Sequence, residues 1–508
     1  MLTLLFLRIL LLIIPQPCSA YSSQGHLNRQ EVLLVYPGKY RAADPQVPLA
    51  LLYLAASLQQ EGFKVRLLDM RLTDYRQYEV GHPLFVGMSC MSGMQIKYAL
   101  EFAGFVRQRN PKVLLVWGGV HPTLLPSQTI HSDLVDIVVR GEGELIIKDL
   151  ANTLAQNEPL NSVKGLTHKD NGLVKNNPDG QNIDLDQIPI DLPYDLLEMG
   201  RYPAFRSGRF HIQTSRGCPH RCGFCYNTLF NKSRWRGKSA QRVIEEIQYI
   251  KAKYPNVKII DPIDDNFFVD EYRVEQICKA LIANKVEIKW RANCRFDYLA
   301  NYDQEFLELL AESGCVELDF GGESGSERIQ QLIHKDVTTE EILKSADNLR
   351  RYAPSIEPYV SWMIGLPEES DADLEMTFNL MDKMKEVNPK TQHYGIFVYT
   401  PFPSPIMNNL PVDFNAPKTL EEWGKIHVFH FDPPWHTKKR IRKLHTISSV
   451  TRIAFYPQAR IKERALSYRV AYKFLNKIAC YRWKHRNFSF PIELKLADTV
   501  AKYAKGFL

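Results

Sequence analysis

From His211 to Pro403, short apolar runs alternate with amphipathic helical segments six times, and no other feature of the chain restricts its fold as much. The runs are HIQTSRG, KIIDPIDDNF, EIKWRANCR, CVELDFGGES, EPYVSWMIGLP and HYGIFVYTPFP. Segments between them, such as RVIEEIQYIKAKY and ADLEMTFNLMDKMKEV, repeat apolar residues at helical steps. Strand and helix alternating in this way over residues 206–405 predict an incomplete, TIM-like (β/α)6 barrel. The functional groups of such a barrel gather at the carboxyl ends of its strands.

A second unit precedes it. Between Val32 and about Ala155 the runs VLLVYP, KVRLLDM, FVGMSCM, KVLLVWGG and DIVVRGEGE are separated by helical stretches such as PLALLYLAASLQQEG. This is the pattern of a parallel, Rossmann-like α/β sheet over residues 31–155. Ligands of such sheets lie outside the carboxyl ends of the strands. Those ends carry Tyr36-Pro37-Gly38, Ser89-Cys90-Met91-Ser92 and Gly118-Gly119-Val120-His121-Pro122-Thr123. No GxGxxG follows the first strand, which argues against a dinucleotide. Residues 156–205, rich in Asn, Asp, Gly and Pro, read as a linker with a small hairpin at Gly165 to Lys175.

The first barrel strand runs into TSRGCPHRCGFCYN, which places Cys218, Cys222 and Cys225 within eight residues. With nine cysteines in 508 residues, chance would supply roughly 0.003 such triplets. A disulfide would leave one thiol over, and structural zinc or a protein-only iron–sulfur site wants four ligands. Three thiolates suit a four-iron cube with one iron left open for a ligand. The remaining cysteines, Cys278, Cys294, Cys315 and Cys480, lie singly and read as small buried residues, while Cys90 stands at a strand end facing the expected ligand.

The triplet, with an aromatic before its last cysteine and Tyr226 after it, resembles the CxxxCxφC signature of radical S-adenosylmethionine (SAM) enzymes. The resemblance implies a [4Fe–4S] cluster on Cys218, Cys222 and Cys225, SAM chelating the open iron, and reductive cleavage of SAM to a 5′-deoxyadenosyl radical. It extends to GGVHPT and Gly141-Glu142-Gly143-Glu144, which resemble segments of the cobalamin-binding domain found upstream of many radical SAM cores. Cobalamin is implied at Gly118, Gly119, His121, Gly141 and Glu142. The chain lacks the DxHxxG segment that carries the lower cobalt ligand in other cobalamin proteins, so His121 is read as a contact to the corrin edge. By the same resemblance Asp264 and Asp265 fall where the family contacts the SAM amino group, and a carboxylate suits an ammonium there. Glu323 and Ser324 fall on the ribose and carboxylate side, Gly365 near adenine, and Arg295 at the third-strand arginine. The last strand departs from the family pattern, ending in Pro401-Phe402-Pro403-Ser404-Pro405-Ile406-Met407, so the substrate end transfers least.

Few cysteines and an air-sensitive cluster favour a reducing, cytoplasmic compartment. The opening MLTLLFLRILLLIIPQPCSA looks like a signal peptide and is too short for a confident transmembrane helix. Residues 1–30 are read as an upstream extension or a weak anchor. Between His436 and Asn487, fifteen Lys and Arg face the single acid Glu463, so this window carries +14 and the rest of the +7 chain −7. Ile461, Ala465, Tyr468, Tyr472, Leu475 and Ala479 form one apolar helix face within it. Residues 406–508 therefore read as a basic helical region, packed on the enzyme or associated with a membrane surface or an anionic substrate. No nucleic-acid recognition motif accompanies the charge.

The expected activity is that of a cobalamin-dependent radical SAM methyltransferase acting on an unactivated carbon of a small-molecule or lipid substrate. Such an enzyme takes its electron from a donor such as flavodoxin or ferredoxin. A radical cyclase, oxidase or rearrangement enzyme of the same architecture stays open, as does a non-catalytic cobalamin sensor. A methylthiotransferase is disfavoured, because only Cys18 and Cys90 precede the triplet.

Overall fold

The first sheet grows from strands whose centres are apolar throughout. In β1 (Glu31–Tyr36) the residues Val32, Leu33, Leu34 and Val35 are all buried, as expected of a strand covered on both faces. It pairs in parallel with β2 (Lys64–Asp69) and β3 (Phe85–Ser89), and the sheet continues through β4 (Leu114–Gly118) and β5 (Ile137–Val139) in the order β2-β1-β3-β4-β5. The computed structural model describes residues 30–406, 414–428, 430–455, 466–489, 491 and 494.

The segment read as a linker is built into the protein. Its hairpin, β6 (Leu166–Asp170) and β7 (Leu173–Asn176), adds antiparallel to β5 and extends the sheet to seven strands. Further along, Leu185, Ile188, Leu192, Tyr194 and Tyr202 are buried in the core of the following barrel. Their irregular spacing hid this role from a periodicity argument.

The barrel is a six-stranded parallel sheet of β8 (Arg209–Ile212), β11 (Ile259–Pro262), β12 (Lys289–Cys294), β13 (Cys315–Glu323), β14 (Glu357–Ile364) and β15 (Gln392–Val398), arranged in chain order. Its helices begin on short polar side chains: Ser239, Asp270, Asp303, Thr338 and Ser370 each accept a hydrogen bond from a backbone N–H three residues on. Each such cap is worth about 1 kcal/mol. The run HIQTSRG is not one strand. It breaks after Ile212, and β9 (Ser215–Gly217) leaves the barrel to pair antiparallel with β10 (Trp235–Gly237).

The C-terminal region ties the two units together. The helix Lys438–Ala454 packs along β15, with Thr451 Oγ1 accepting from the Ile396 N–H at 3.1 Å, and the helix Leu466–Lys484 packs on it in turn. A short helix, Leu420–Trp423, reaches back to the helix Met94–Arg109 of the first unit and buries Trp423 there. No helix among the described residues is long and apolar enough to cross a membrane. The apolar opening of the chain lies outside the described residues.

Candidate active site

The cysteine loop is hung from the carboxyl end of the second barrel strand. Asp264, buried just past β11, accepts from the Thr214 N–H at 2.6 Å, the Thr214 hydroxyl at 2.5 Å and the Ser215 hydroxyl at 2.6 Å. Its carboxylate is thereby used inside the protein and does not line the cavity, where the expected ammonium contact would need it to be open. Asp265 turns the other way. It accepts from the Gly217 N–H at 2.9 Å and the Tyr226 hydroxyl at 3.3 Å, and it lines a cavity. Burial pushes its carboxyl up from the ordinary range, opposed by these bonds. Gly217, immediately before Cys218, has φ +86°, and a Cβ there would stand 2.0 Å from the Arg234 carbonyl oxygen across the β9–β10 pair. No side chain fits.

Each of the first two thiols has a cationic or amide donor beside it. Asn266 Nδ2 is 3.6 Å from Cys218 Sγ, and Arg295 Nη1 is 3.8 Å from Cys222 Sγ. Arg295 is held by Asp297 at 2.8 Å and by the Lys335 carbonyl at 2.7 Å. Lys335 pairs with Glu323 at 2.9 Å, and its charge and that of Arg295 oppose the upward push of burial on the Cys222 thiol. Burial pushes the Cys225 thiol up to about 12. These donors fit sulfurs that carry negative charge when ligated. No three thiol, imidazole or carboxylate side chains among the described residues are gathered to hold a single metal ion. A four-iron cube, with each thiolate on its own iron, does not require such a gathering.

Two of the sequence-derived positions are engaged inside the protein. Ser324 is fully buried, with its hydroxyl 3.3 Å from Thr377 Oγ1 and accepting from the Ser326 N–H. Gly365 donates its N–H to Glu369 at 2.6 Å, and its carbonyl accepts from Trp435 Nε1 at 3.0 Å. Inside the barrel, Arg291 binds Asp261, Glu317 and Asp319, and Tyr394 donates to Asp319 at 2.7 Å.

A cavity of about 420 Å³ opens between the carboxyl edge of the first sheet and the cysteine loop. Gly118, Gly119, Gly141 and Glu142 line it from one unit, and Tyr226, Asp265 and Ile263 from the other. The GGVHPT and GEGE segments meet at its rim: the Thr123 hydroxyl donates to the Gly119 carbonyl at 2.7 Å and accepts from the Gly141 N–H at 2.9 Å. Bare glycine backbone along this edge fits the close approach of a flat macrocycle.

His121 is absent from that lining. Its ring is fully buried, 5.3 Å from the Trp423 ring, with Nδ1 2.9 Å from the Ser92 hydroxyl, and burial lowers its pKa to about 4. It packs in the interior and, contrary to the expectation of a ligand-facing side chain, does not line the cavity. Cys90 likewise points into the core, while its neighbours Ser89 and Met91 face the cavity. Cys278, Cys294 and Cys315 are buried as expected, but Cys480 is exposed on the helix Leu466–Lys484. Sequence reasoning did not assign a role to Asn266, Lys335 or Arg216, and named Glu144 only as part of the GEGE segment. Arg216 is adjacent to the cysteine motif and could have been suspected, whereas nothing local marks Lys335, twelve residues beyond Glu323.

Two stretches of the chain match known families: residues 41–151 the B12 binding domain and residues 212–381 the radical SAM superfamily. An uncharacterised methyltransferase of Pyrococcus horikoshii is 30% identical over 433 residues, covering 82% of this chain and 90% of that protein. An anaerobic magnesium-protoporphyrin IX monomethyl ester cyclase of Synechocystis is 27% identical over 337 residues, covering 64% and 66%. Among solved structures, the cobalamin-dependent SAM radical enzyme OxsB, with aqua-cobalamin and SAM bound, superposes with a TM-score of 0.71 at 18% identity, covering 94% of this chain and 76% of that one.

Proposed function

Because the chain belongs to the radical SAM superfamily and carries a B12-binding domain ahead of its barrel, we propose that it is a cobalamin-dependent methyltransferase acting on an unactivated carbon. The observation that supports the reading is the cavity lined by the glycine edge of the first sheet on one side and by Tyr226, next to the cysteine motif, and Asp265 on the other. When bound, the cluster and SAM supply an electron and a carbon radical, and cobalamin a transferable methyl group.

The chain's own residues hold and shield. Cys218, Cys222 and Cys225 would ligate the cluster, and Asn266 and Arg295 would donate to the ligating sulfurs. Asp265, with Tyr226 beside it, is the carboxylate left to receive an ammonium group, since Asp264 is occupied by the loop. Glu323 and Lys335 set a charge pair next to Cys222. Gly118, Gly119, Gly141 and Glu142 would floor the corrin. The reductant is a low-potential protein donor such as flavodoxin or ferredoxin.

Anaerobic reconstitution tests this directly. The loaded protein should show the low-temperature EPR signal of a reduced cubane and cleave SAM on reduction, and product formed with labelled SAM should gain one carbon. Cys222→Ala should abolish signal and cleavage, while Cys278→Ala should keep both. A product that gains no carbon would favour the cyclase chemistry named for the Synechocystis relative.

The helix Leu466–Lys484 leaves Val470, Phe474 and Tyr481 each more than 60% exposed, interleaved with the exposed Lys473, Lys477 and Lys484. Apolar and basic groups on one exposed face suit an anionic lipid surface, and hence a lipid or lipid-linked substrate.

A further inference from the structure

Arg216 stands on β9, two residues before Cys218, and every nitrogen of its guanidinium is engaged. Nε donates to Gln213 at 2.9 Å, Nη1 to Glu142 at 3.0 Å and Nη2 to Glu144 at 2.6 Å, while the group lies 5.2 Å from the centre of the Tyr53 ring. Glu142, Glu144 and Tyr53 belong to the first unit, Gln213 and Arg216 to the barrel. Arg236, directly opposite Arg216 in the β9–β10 pair, also binds Glu142 and donates to the Ile183 carbonyl at 2.7 Å. Glu142 thus bridges two arginines on neighbouring strands. Both carboxylates and the Arg216 side chain are about nine-tenths buried or more, and all three residues line the cavity.

We propose that Arg216, Glu142 and Glu144 form a latch that fixes the glycine edge of the first sheet at a set distance from the cysteine loop, and so positions the corrin over the cluster. The proposal rests on the reading that the cavity holds the corrin. The GEGE spacing follows from it. Two carboxylates one residue apart at the start of the helix Gly143–Ala155 offer a guanidinium two separate oxygens, each on its own nitrogen. Lysine concentrates its three donors on one nitrogen and cannot span the two carboxylates with the separated, directed bonds of a planar fork. Gly217, the one residue between Arg216 and Cys218, is tied to the barrel by its N–H bond to Asp265, so the strand that Arg216 fastens to the first unit is the strand that carries the ligands. These are positioning residues, which act through the strand that carries the ligands.

The test uses the full-length protein loaded anaerobically with cluster and cobalamin and then reduced, so that cob(II)alamin and the cluster are both paramagnetic. Magnetic coupling between the two falls steeply with their separation. In the wild type it should report one narrow separation. In Arg216→Lys, and in Glu144→Gln, which leaves the cysteine-loop strand untouched, it should weaken several-fold or spread over a range, at unchanged iron and cobalt content. Coupling that stays at the wild-type value in a fully loaded Glu144→Gln or Arg216→Lys protein overturns the latch. If the wild type takes up no corrin, the cofactor reading fails, and the latch is judged on the cluster-loaded chain by hydrogen exchange. Faster exchange over residues 141–155 in both variants supports it, and unchanged exchange overturns it.

Discussion

Asp264 and Asp265 stand side by side just past a strand end, where successive side chains face opposite ways, and this geometry divides their work. Asp264 satisfies a buried backbone N–H and two hydroxyls. Replacing it by alanine leaves those donors unpaired, at a cost of about 1–3 kcal/mol for each group that finds no substitute. Asp264→Ala should therefore melt at a lower temperature and retain less iron after reconstitution. Asp265→Asn should melt near the wild type yet bind SAM more weakly, as equilibrium dialysis would show. Equal melting of the two variants would undo the distinction. Glu369 offers a pH test. Burial pushes its carboxyl up to about 8 from an ordinary 4.5, against the Gly365 N–H bond that pulls the other way. A raised folded-state pKa means stability that is complete below the unfolded value and lost as pH rises through the folded one. The chain should lose stability between pH 4.5 and about 8, and Glu369→Gln, which keeps an acceptor for Gly365, should remove that slope and be the more stable form at pH 8. Parallel stability curves for the two proteins would refute the assignment.

At the scale of elements, the turn between β8 and β9 decides where the cluster ligands go. Gly217 lets the chain approach the Arg234 carbonyl so closely that even a methyl group cannot be placed. Gly217→Ala should separate β9 from β10 and abolish cluster loading, while the far-UV spectrum of the barrel persists; full iron content in this variant would contradict the account. The strands themselves were legible in the sequence, because runs such as VLLVYP and EPYVSWMI are buried on both faces or alternate against covering helices. The break within HIQTSRG was not. It depends on Asp264, fifty residues away, capturing Thr214 and Ser215. His121 was misread for a similar reason: a loop histidine beside a glycine pair looks ligand-facing until Trp423, three hundred residues on, covers it. The glycine edges lie along the cavity, at the strand ends where the sequence puts them, because that placement is local. Ser324, Gly365 and Lys335 take their roles from partners that the chain brings in from elsewhere.

Over the whole molecule the charge of the C-terminal region is divided between two uses. Arg440 and Lys443 bind Asp371, and Arg486 binds Glu375 and Asp382, all on the acidic barrel helix Asp371–Val387. Trp483 donates to Asp382 as well, at 2.8 Å. Part of the basic excess is therefore the mortar of the fold, and Ala479, on the expected apolar face, is buried against the barrel side. Ile461 and Ala465 lie outside the described residues, as does the side chain of Tyr468. On the exposed face, Phe474 and its neighbours Lys473 and Lys477 remain to meet a surface. Basic groups near an anionic bilayer are worth about 1 kcal/mol each and act only within a Debye length of about 8 Å at physiological salt. Protein lacking residues 1–29, which removes the apolar opening as a rival cause, should sediment with anionic vesicles at low ionic strength and leave them as salt is raised. Lys473→Glu with Lys477→Glu should flatten that salt dependence, because fewer counterions are exchanged. Phe474→Ser should weaken binding and keep its slope, because only apolar area is lost. If the truncated protein ignores anionic vesicles at low salt, this face is ordinary solvated surface, and the case for a lipid-linked substrate falls with it.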